Sequence, residues 1–376
     1  MSVMDRRFAP AAIFFLGVMV AACASDAASD SAEEAGLRSD TVAPAAEAPA
    51  AEMPTGPVTS FPPNELGKFL VLEYHRLGEN EGEFTRKQEN FAKDLRELYE
   101  AGYRPVTMRQ MLDGDIDIPA GTSPVVVTID DSSLGQFYLL EDGSIDPHSM
   151  VGMWEEFREE YPAWNNGAVW CILPTADHPS NFFGERPSRE VPREQREATI
   201  RRKVEHLVEH DHEICNHTLF HARLDRARDD AQVQEYIGRA EDSLQVYLPA
   251  DYDIVTFALP LGMWPKARSL AWQGSHAGRP YEYRAVLEVS GGANESPFDT
   301  GFDPRSVNRF IVAPNHLERQ LARWEKNPAD RFISDGDPKI ITVPAALADR
   351  VDRDRWGSKE IRVVEAPVPA DSTAAN

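Results

Sequence analysis

The sequence predicts one α/β domain built on a parallel sheet or barrel, and two observations support this prediction. Between residue 68 and about residue 262, segments with strand character alternate with segments of helical periodicity. One of the strand segments, SPVVVTIDD, is apolar without alternation, as expected for a strand that is buried on both faces. In such folds the functional residues lie in the loops that follow the carboxyl ends of the strands.

Each element has its own local signal. The expected strands are KFLVLEYH, SPVVVTIDD, GAVWCILP, HEICNH and IVTFALPLG. A first helix is expected over EFTRKQENFAKDLRELYEAGY, with Thr85 as its cap and Gly102 as its stop, because Phe91, Leu95 and Leu98 keep helical spacing. Further helices are expected in HSMVGMWEEFREEY, in SREVPREQREATIRRKVEHLVEH and in ARDDAQVQEYIGRAEDSLQVYL.

The charge of the chain excludes some partners. It has 39 Lys plus Arg against 62 Asp plus Glu, a net charge of −23. Nucleic acid is excluded because its phosphates need a basic surface. Electrostatic docking on anionic lipid is disfavoured for the same reason.

The N-terminus predicts export and a lipid anchor. Arg6 and Arg7 precede a short apolar run that ends in VAAC, which resembles a bacterial lipobox with Cys23 as the lipidated residue. The protein is then an exported, membrane-anchored lipoprotein, periplasmic or on the cell surface, that touches the membrane through this anchor only. An ordinary signal peptide with a chance cysteine is the alternative.

The composition divides the chain into four parts. Residues 1–22 are the signal peptide, and residues 23–65 form an Ala, Pro and acidic tether with almost no large apolar residue. Residues 66–364 form the folded domain, and residues 365–376 are a disordered tail.

Two cysteines remain after the lipobox. Export makes a disulfide between Cys171 and Cys215 conceivable. Two free buried thiols are the favoured interpretation, and the sequence leaves the pairing open.

The strand ends carry the chemistry. Asp130 and Asp131 follow a buried strand, and His217 and His221 follow a later one, four residues apart and on one side of a helical turn. One carboxylate and two imidazoles form a ligand set for a divalent metal with positions left open. The second carboxylate is then suited to accept the proton of an attacking water that the metal activates.

These motifs match a known pattern. TIDDS is similar to T-F-D-D-G, HTLFH to H-[ST]-x-x-H, and FALPLG to F-A-x-P-x-G. The chain resembles the polysaccharide deacetylases, the NodB-homology domain of carbohydrate esterase family four, over about residues 66–320. The resemblance implies a distorted (β/α) barrel of about seven strands.

The resemblance also implies a role for each residue. Asp130 is the general base, and Asp131, His217 and His221 hold a divalent metal, with zinc the expected ion. The backbone N–H of Leu261 helps to form the oxyanion hole.

Three departures from the family pattern stand out. Ser132 replaces a glycine, and Ala258 stands where many members have arginine. No L-x-H motif near the C-terminus supplies a general acid, which leaves His316 and His75 as candidates.

The expected activity is removal of N-acetyl groups from a cell-envelope or extracellular polysaccharide of the N-acetylglucosamine class. The alternatives are an O-acetyl esterase that acts on a glycan and a catalytically weak carbohydrate-binding lipoprotein.

The sequence does not determine the oligomeric state. Four aromatic residues could border a sugar groove or belong to the core: Phe137, Tyr138, Trp154 and Trp264.

Overall fold

The computed structural model describes residues 56–365, which form fourteen strands and seven α-helices. The strands are β1 (Leu70–Tyr74), β2 (Arg76–Leu77), β3 (Thr85–Arg86), β4 (Tyr103–Pro105), β5 (Ser123–Asp130), β6 (Val169–Ile172), β7 (Glu213–Asn216), β8 (Thr256–Ala258), β9 (Gln273–His276), β10 (Arg279–Glu282), β11 (Ala285–Gly291), β12 (Val307–Ile311), β13 (Ile340–Pro344) and β14 (Glu360–Val364). The helices are α1 (Gln88–Glu100), α2 (Met108–Asp113), α3 (Met150–Glu160), α4 (Arg193–Glu209), α5 (Asp230–Gln245), α6 (His316–Lys326) and α7 (Arg353–Trp356).

Seven parallel strands close into a barrel. Their order around the ring is β1-β12-β11-β8-β7-β6-β5, and β5 pairs with β1 to close it. Strand β4 pairs with the start of β5 and lies outside the ring. The predicted (β/α) barrel of about seven strands is therefore confirmed, and the carboxyl ends of all seven strands meet at one face.

Burial explains the strand signal. All eight residues of β5 are buried, as the apolar run without alternation predicted.

The start of the first helix was predicted too early. Thr85 pairs with Arg76 in a small two-stranded sheet, and α1 begins at Gln88.

The two remaining cysteines form a disulfide. Cys171 and Cys215 are direct partners in the register of β6 and β7, with their Cα atoms 4.3 Å apart. The favoured interpretation of two free thiols is wrong. The register that brings the two residues opposite each other could not be read from either strand alone.

The folded part begins earlier than residue 66. Asn64 and Glu65 are buried, and the N–H of Thr59 donates to the carbonyl of Gly121. Residues 56–65 therefore lie against the barrel rather than in the tether.

Three predictions lie outside the described residues: the signal peptide, the lipidation of Cys23 and the C-terminal tail from residue 366. Within residues 56–365, no helix has both the length and the apolar character needed to cross a membrane.

Candidate functional site

The predicted site residues meet in one cavity at the carboxyl face of the barrel. Asp130 ends β5, Asp131 follows it, His217 and His221 follow β7, and Leu261 follows β8. The cavity has a volume of about 450 Å³. It is lined by Glu73, His75, Arg76, Phe84, Asp130, Asp131, His217, His221, Arg223, Leu259, Leu261, Met263 and Val289.

The backbone after β5 lets two neighbouring carboxylates share this cavity. On a continuing strand the side chains of Asp130 and Asp131 would point to opposite faces. The strand ends at Asp130, and Asp131 and Ser132 take left-handed φ values of 77° and 44°. The sharp turn brings the second carboxylate to the same side as the first.

Ser132 fits at a position where the family has glycine. The left-handed conformation costs a residue with a Cβ about 1–2 kcal/mol. The buried Ser132 hydroxyl accepts a hydrogen bond of 3.0 Å from the N–H of Leu173, and its carbonyl accepts one of 2.8 Å from Phe183. These contacts tie the loop after β5 to the loop after β6 and offset the conformational cost.

Asp131, His217 and His221 have the spacing of a metal-ligand set. The Oδ1 atom of Asp131 lies 3.6 Å from Nε2 of His217 and 3.7 Å from Nε2 of His221. Ligand atoms about 2.0–2.2 Å from a tetrahedral zinc ion are roughly 3.4 Å from one another. The donor atoms therefore need only small shifts to hold one divalent ion.

The two imidazoles present ring nitrogens to the cavity. Nδ1 of His217 lies 2.9 Å from the carbonyl of Ala258 and donates to it, while its buried Nε2 has no hydrogen-bond partner among residues 56–365. Burial and, after it, repulsion from His217 lower the pKa of His221 to about 4, so this ring is neutral near pH 7. A buried nitrogen without a hydrogen bond, on a ring whose other nitrogen is held by a carbonyl, fits a metal ligand.

The turn that carries the two histidines is not helical. Thr218 and His221 both have left-handed φ values, 67° and 60°. The N–H of Thr218 donates to the side chain of Asn216, which is itself held by the hydroxyl of Tyr283. The rings of His217 and His221 still face each other, with their centroids 4.9 Å apart.

Asp130 is held ionised. Burial alone would raise the pKa of this carboxyl, but the Arg309 guanidinium lowers it well below its usual range. Nη1 of Arg309 lies 2.8 Å from Oδ1 of Asp130. The other oxygen, Oδ2, lies 3.6 Å from Nε2 of His217 and faces the metal-ligand set.

Arg309 and Glu73 are site residues that the sequence analysis missed. Arg309 comes from β12, is fully buried, and places Nε 3.2 Å from Oε2 of Glu73. Its Nη1 also donates to the hydroxyl of Thr128 at 3.1 Å. One guanidinium thus joins Glu73 at the end of β1 to Asp130 at the end of β5.

His75 lies at the edge of the same cavity. Its Nε2 is 3.3 Å from Oε1 of Glu73, and its ring packs edge-on against Phe84 at 4.8 Å. Burial lowers the pKa of His75. The buried amide of Gln136 donates to the carbonyls of both His75 and Asp130, which fixes these two strand ends relative to each other.

His316, the other candidate acid, does not line this cavity. It opens α6, its Nδ1 lies 3.2 Å from the carbonyl of Ile311, and its ring packs against Phe310. The structure therefore places His75, but not His316, in the lining of the cavity that contains Asp131, His217 and His221.

The predicted groove aromatics are not in the cavity lining. Phe137 and Trp154 are buried in the core, and Tyr138 is exposed. Trp264 is half-buried, donates its indole N–H to Glu288, and is stacked by the guanidinium of Arg268 at 3.7 Å. Phe84, which the sequence analysis did not single out, is the aromatic residue of the lining.

Comparisons with known proteins agree with the motifs. Residues 177–273 match the family model for polysaccharide deacetylase, a segment that contains HTLFH and FALPLG and follows the Asp130–Asp131 pair. No curated protein matches the chain.

Several solved structures are similar. The deacetylase PplD from Streptococcus pyogenes in complex with acetate has 14% identity over 68% of this chain and 97% of that chain, with a TM-score of 0.48. A polysaccharide deacetylase from Bacillus cereus has 13% identity over 68% of each chain, with a TM-score of 0.47. IcaB from Ammonifex degensii has 16% identity over 68% of this chain and 96% of that chain, with a TM-score of 0.46.

Proposed function

Because the chain carries a polysaccharide deacetylase domain and is a hydrolase of amide bonds, we propose that it is metal-dependent and removes N-acetyl groups from a polysaccharide of the N-acetylglucosamine class. The observation that carries the proposal is the single cavity that joins Asp131, His217 and His221 to the ionised Asp130. The substrate lies outside the cytoplasm, since the sequence predicts export and a lipid anchor at Cys23.

Asp131, His217 and His221 would hold the divalent ion, for which zinc fits the donor set. Such an ion polarises a carbonyl and lowers the pKa of water. Side-chain and backbone groups of the protein carry out the proton transfers and stabilise the developing negative charge. Asp130 accepts the proton of the attacking water at Oδ2, because Oδ1 is occupied by Arg309.

Two further groups complete the reaction. The backbone N–H of Leu261 donates to the carbonyl oxygen as negative charge develops there, and a side-chain change at this position leaves that donor in place. His75 supplies a proton to the leaving nitrogen. Glu73 supports this role because its carboxyl group, 3.3 Å from Nε2 of His75, orients the ring.

Metal removal tests the proposal. We expect the full-length protein to release acetate from N-acetylglucosamine oligomers, to lose this activity after treatment with a chelator, and to regain it with zinc. His217→Ala should lose both the bound metal and the activity, because the Nε2 donor is gone. His210→Ala is the matched control, since His210 lies outside the cavity. Acetate release without metal, or full metal content in His217→Ala, would refute the proposal.

The proposed acid is tested by comparing leaving groups. His75→Gln should lower kcat for an N-acetyl substrate by about 10²–10⁴-fold. An O-acetyl ester should lose much less, because an alkoxide leaves without protonation more easily than an amide nitrogen. Equal losses on the amide and the ester, or a full loss in His316→Gln instead, would remove His75 from this role.

A further inference from the structure

The catalytic cavity has two unlike sides. His75, Arg76 and Phe84 come from the end of β1 and the segment after it. The opposite side is aliphatic, and it comes from the loop after β8, which lies three strands from β1 around the ring, and from the neighbouring β11. Its members are Leu259, Leu261, Met263 and Val289, here called the aliphatic wall.

The aliphatic wall presents uncovered apolar side chains to the cavity. Leu261 is 49% exposed and Met263 is 37% exposed. Between them, Gly262 packs on Val289 so closely that an added Cβ would lie 3.3 Å from the valine, which makes the wall continuous. Large apolar side chains that are exposed together mark a site of interaction.

The wall lacks the groups that recognise sugar hydroxyls. Within residues 56–365, no serine, threonine, asparagine, glutamine, tyrosine or tryptophan lines the cavity. The wall itself has no aromatic plane on which a sugar ring could stack. The exposed ring of Phe84, on the His75 side, is suited to that contact.

The chemistry of the reaction orients the substrate between these sides. The carbonyl oxygen points to the N–H of Leu261, and the leaving nitrogen points to His75. The three bonds of the planar carbonyl carbon diverge, so the acyl group points away from the leaving nitrogen and His75 and towards the aliphatic wall. The sugar then lies on the side of Phe84.

We propose that the aliphatic wall binds an N-acyl group longer than acetyl, with roughly four to six carbons. A single methyl group cannot cover Leu261, Met263 and Val289 together, and the cavity volume of about 450 Å³ leaves room for a longer chain. This inference rests on the proposed amide hydrolysis. Water adds its oxygen to the acyl carbon, the C–N bond breaks with its electron pair on nitrogen, and both water protons end on the amine. The products are a short-chain carboxylate and a sugar ammonium ion.

A series of acyl lengths tests the inference. The metal-loaded full-length protein is assayed on glucosamine oligomers that carry N-acetyl, N-butanoyl or N-hexanoyl groups, with free amine as the readout. Each methylene that the wall buries should raise kcat/KM by up to about fourfold. We expect the hexanoyl substrate to exceed the acetyl substrate at least tenfold. Rates that fall as the chain lengthens would overturn the inference while leaving deacetylation intact, and no hydrolysis of any member would overturn both.

A substitution in the aliphatic wall tests whether the preference for longer acyl chains arises there. Met263→Gln keeps the size of the side chain and adds a polar end, so the ratio of hexanoyl to acetyl activity should fall about tenfold. Val246→Thr is the matched control, because Val246 is 59% exposed and lies outside the cavity. An unchanged ratio in Met263→Gln would show that the chain binds elsewhere and would overturn the inference.

Discussion

Asp130→Asn should lower kcat for acetate release by about 10²–10⁴-fold while the bound metal stays at the wild-type level. The amide has nearly the same shape as the carboxylate but cannot accept the proton of the attacking water. Metal binding should survive because the predicted ligands are Asp131, His217 and His221. The measurement is kcat beside metal content per chain.

Asp349→Asn is the matched control for this substitution. Asp349 is exposed and lies outside the cavity, so the variant should keep the wild-type rate. Turnover retained in Asp130→Asn would remove Asp130 from proton transfer. Loss of metal in the same variant would instead make Asp130 a ligand.

The second large effect concerns Arg309. Arg309→Lys should lower kcat about 10–100-fold, because one ammonium group cannot contact both Asp130 and Glu73 as the guanidinium does. The positive charge remains, so the acid limb of the pH profile of kcat/KM should move little. Arg279→Lys is the control, since Arg279 is exposed and pairs only with Asp242 among the described residues.

Removal of the charge should have a different signature. Burial raises the pKa of Asp130, while the charges of Arg309, His217 and His75 together lower it below its usual value, so this pKa rises when the guanidinium is removed. Asp130 is then protonated at a higher pH, and the acid limb moves to higher pH. Arg309→Met combined with Glu73→Gln removes the guanidinium together with one of the two buried carboxyl groups that it contacts, so that Asp130 is the one left without it. An acid limb that stays in place would show that Arg309 does not keep Asp130 ionised.

The sequence analysis named the candidate site residues at the strand ends, but it missed the residues that hold them in place. Asp130, Asp131, His217 and His221 could be named because each follows a strand, and parallel strands end at one face of the barrel. Arg309 left a weak signal, a lone arginine in the segment SVNRFIVA. Its partner Glu73 lies 236 positions earlier in the chain, and the sequence around either residue does not indicate that the two side chains form an ion pair.

Local turns were also hard to predict. The four-residue spacing of His217 and His221 suggested a helical turn, but two left-handed residues build it instead. Thr85 had the chemistry of a helix cap and lies in a strand pair, because its partner Arg76 is nearby in space. Tertiary contacts override such local preferences.

The sequence by itself determined the alternation of strands and helices, the candidate carboxylate and imidazole side chains at the strand ends, and the motifs shared with the family. These are local properties, set by periodicity and by residue type. Only the tertiary structure decided that Cys171 bonds to Cys215, that Arg309 holds Asp130, and that His75 rather than His316 reaches the cavity. Each of these depends on the register and order of strands that are far apart in the chain, and that information appears only when the barrel closes.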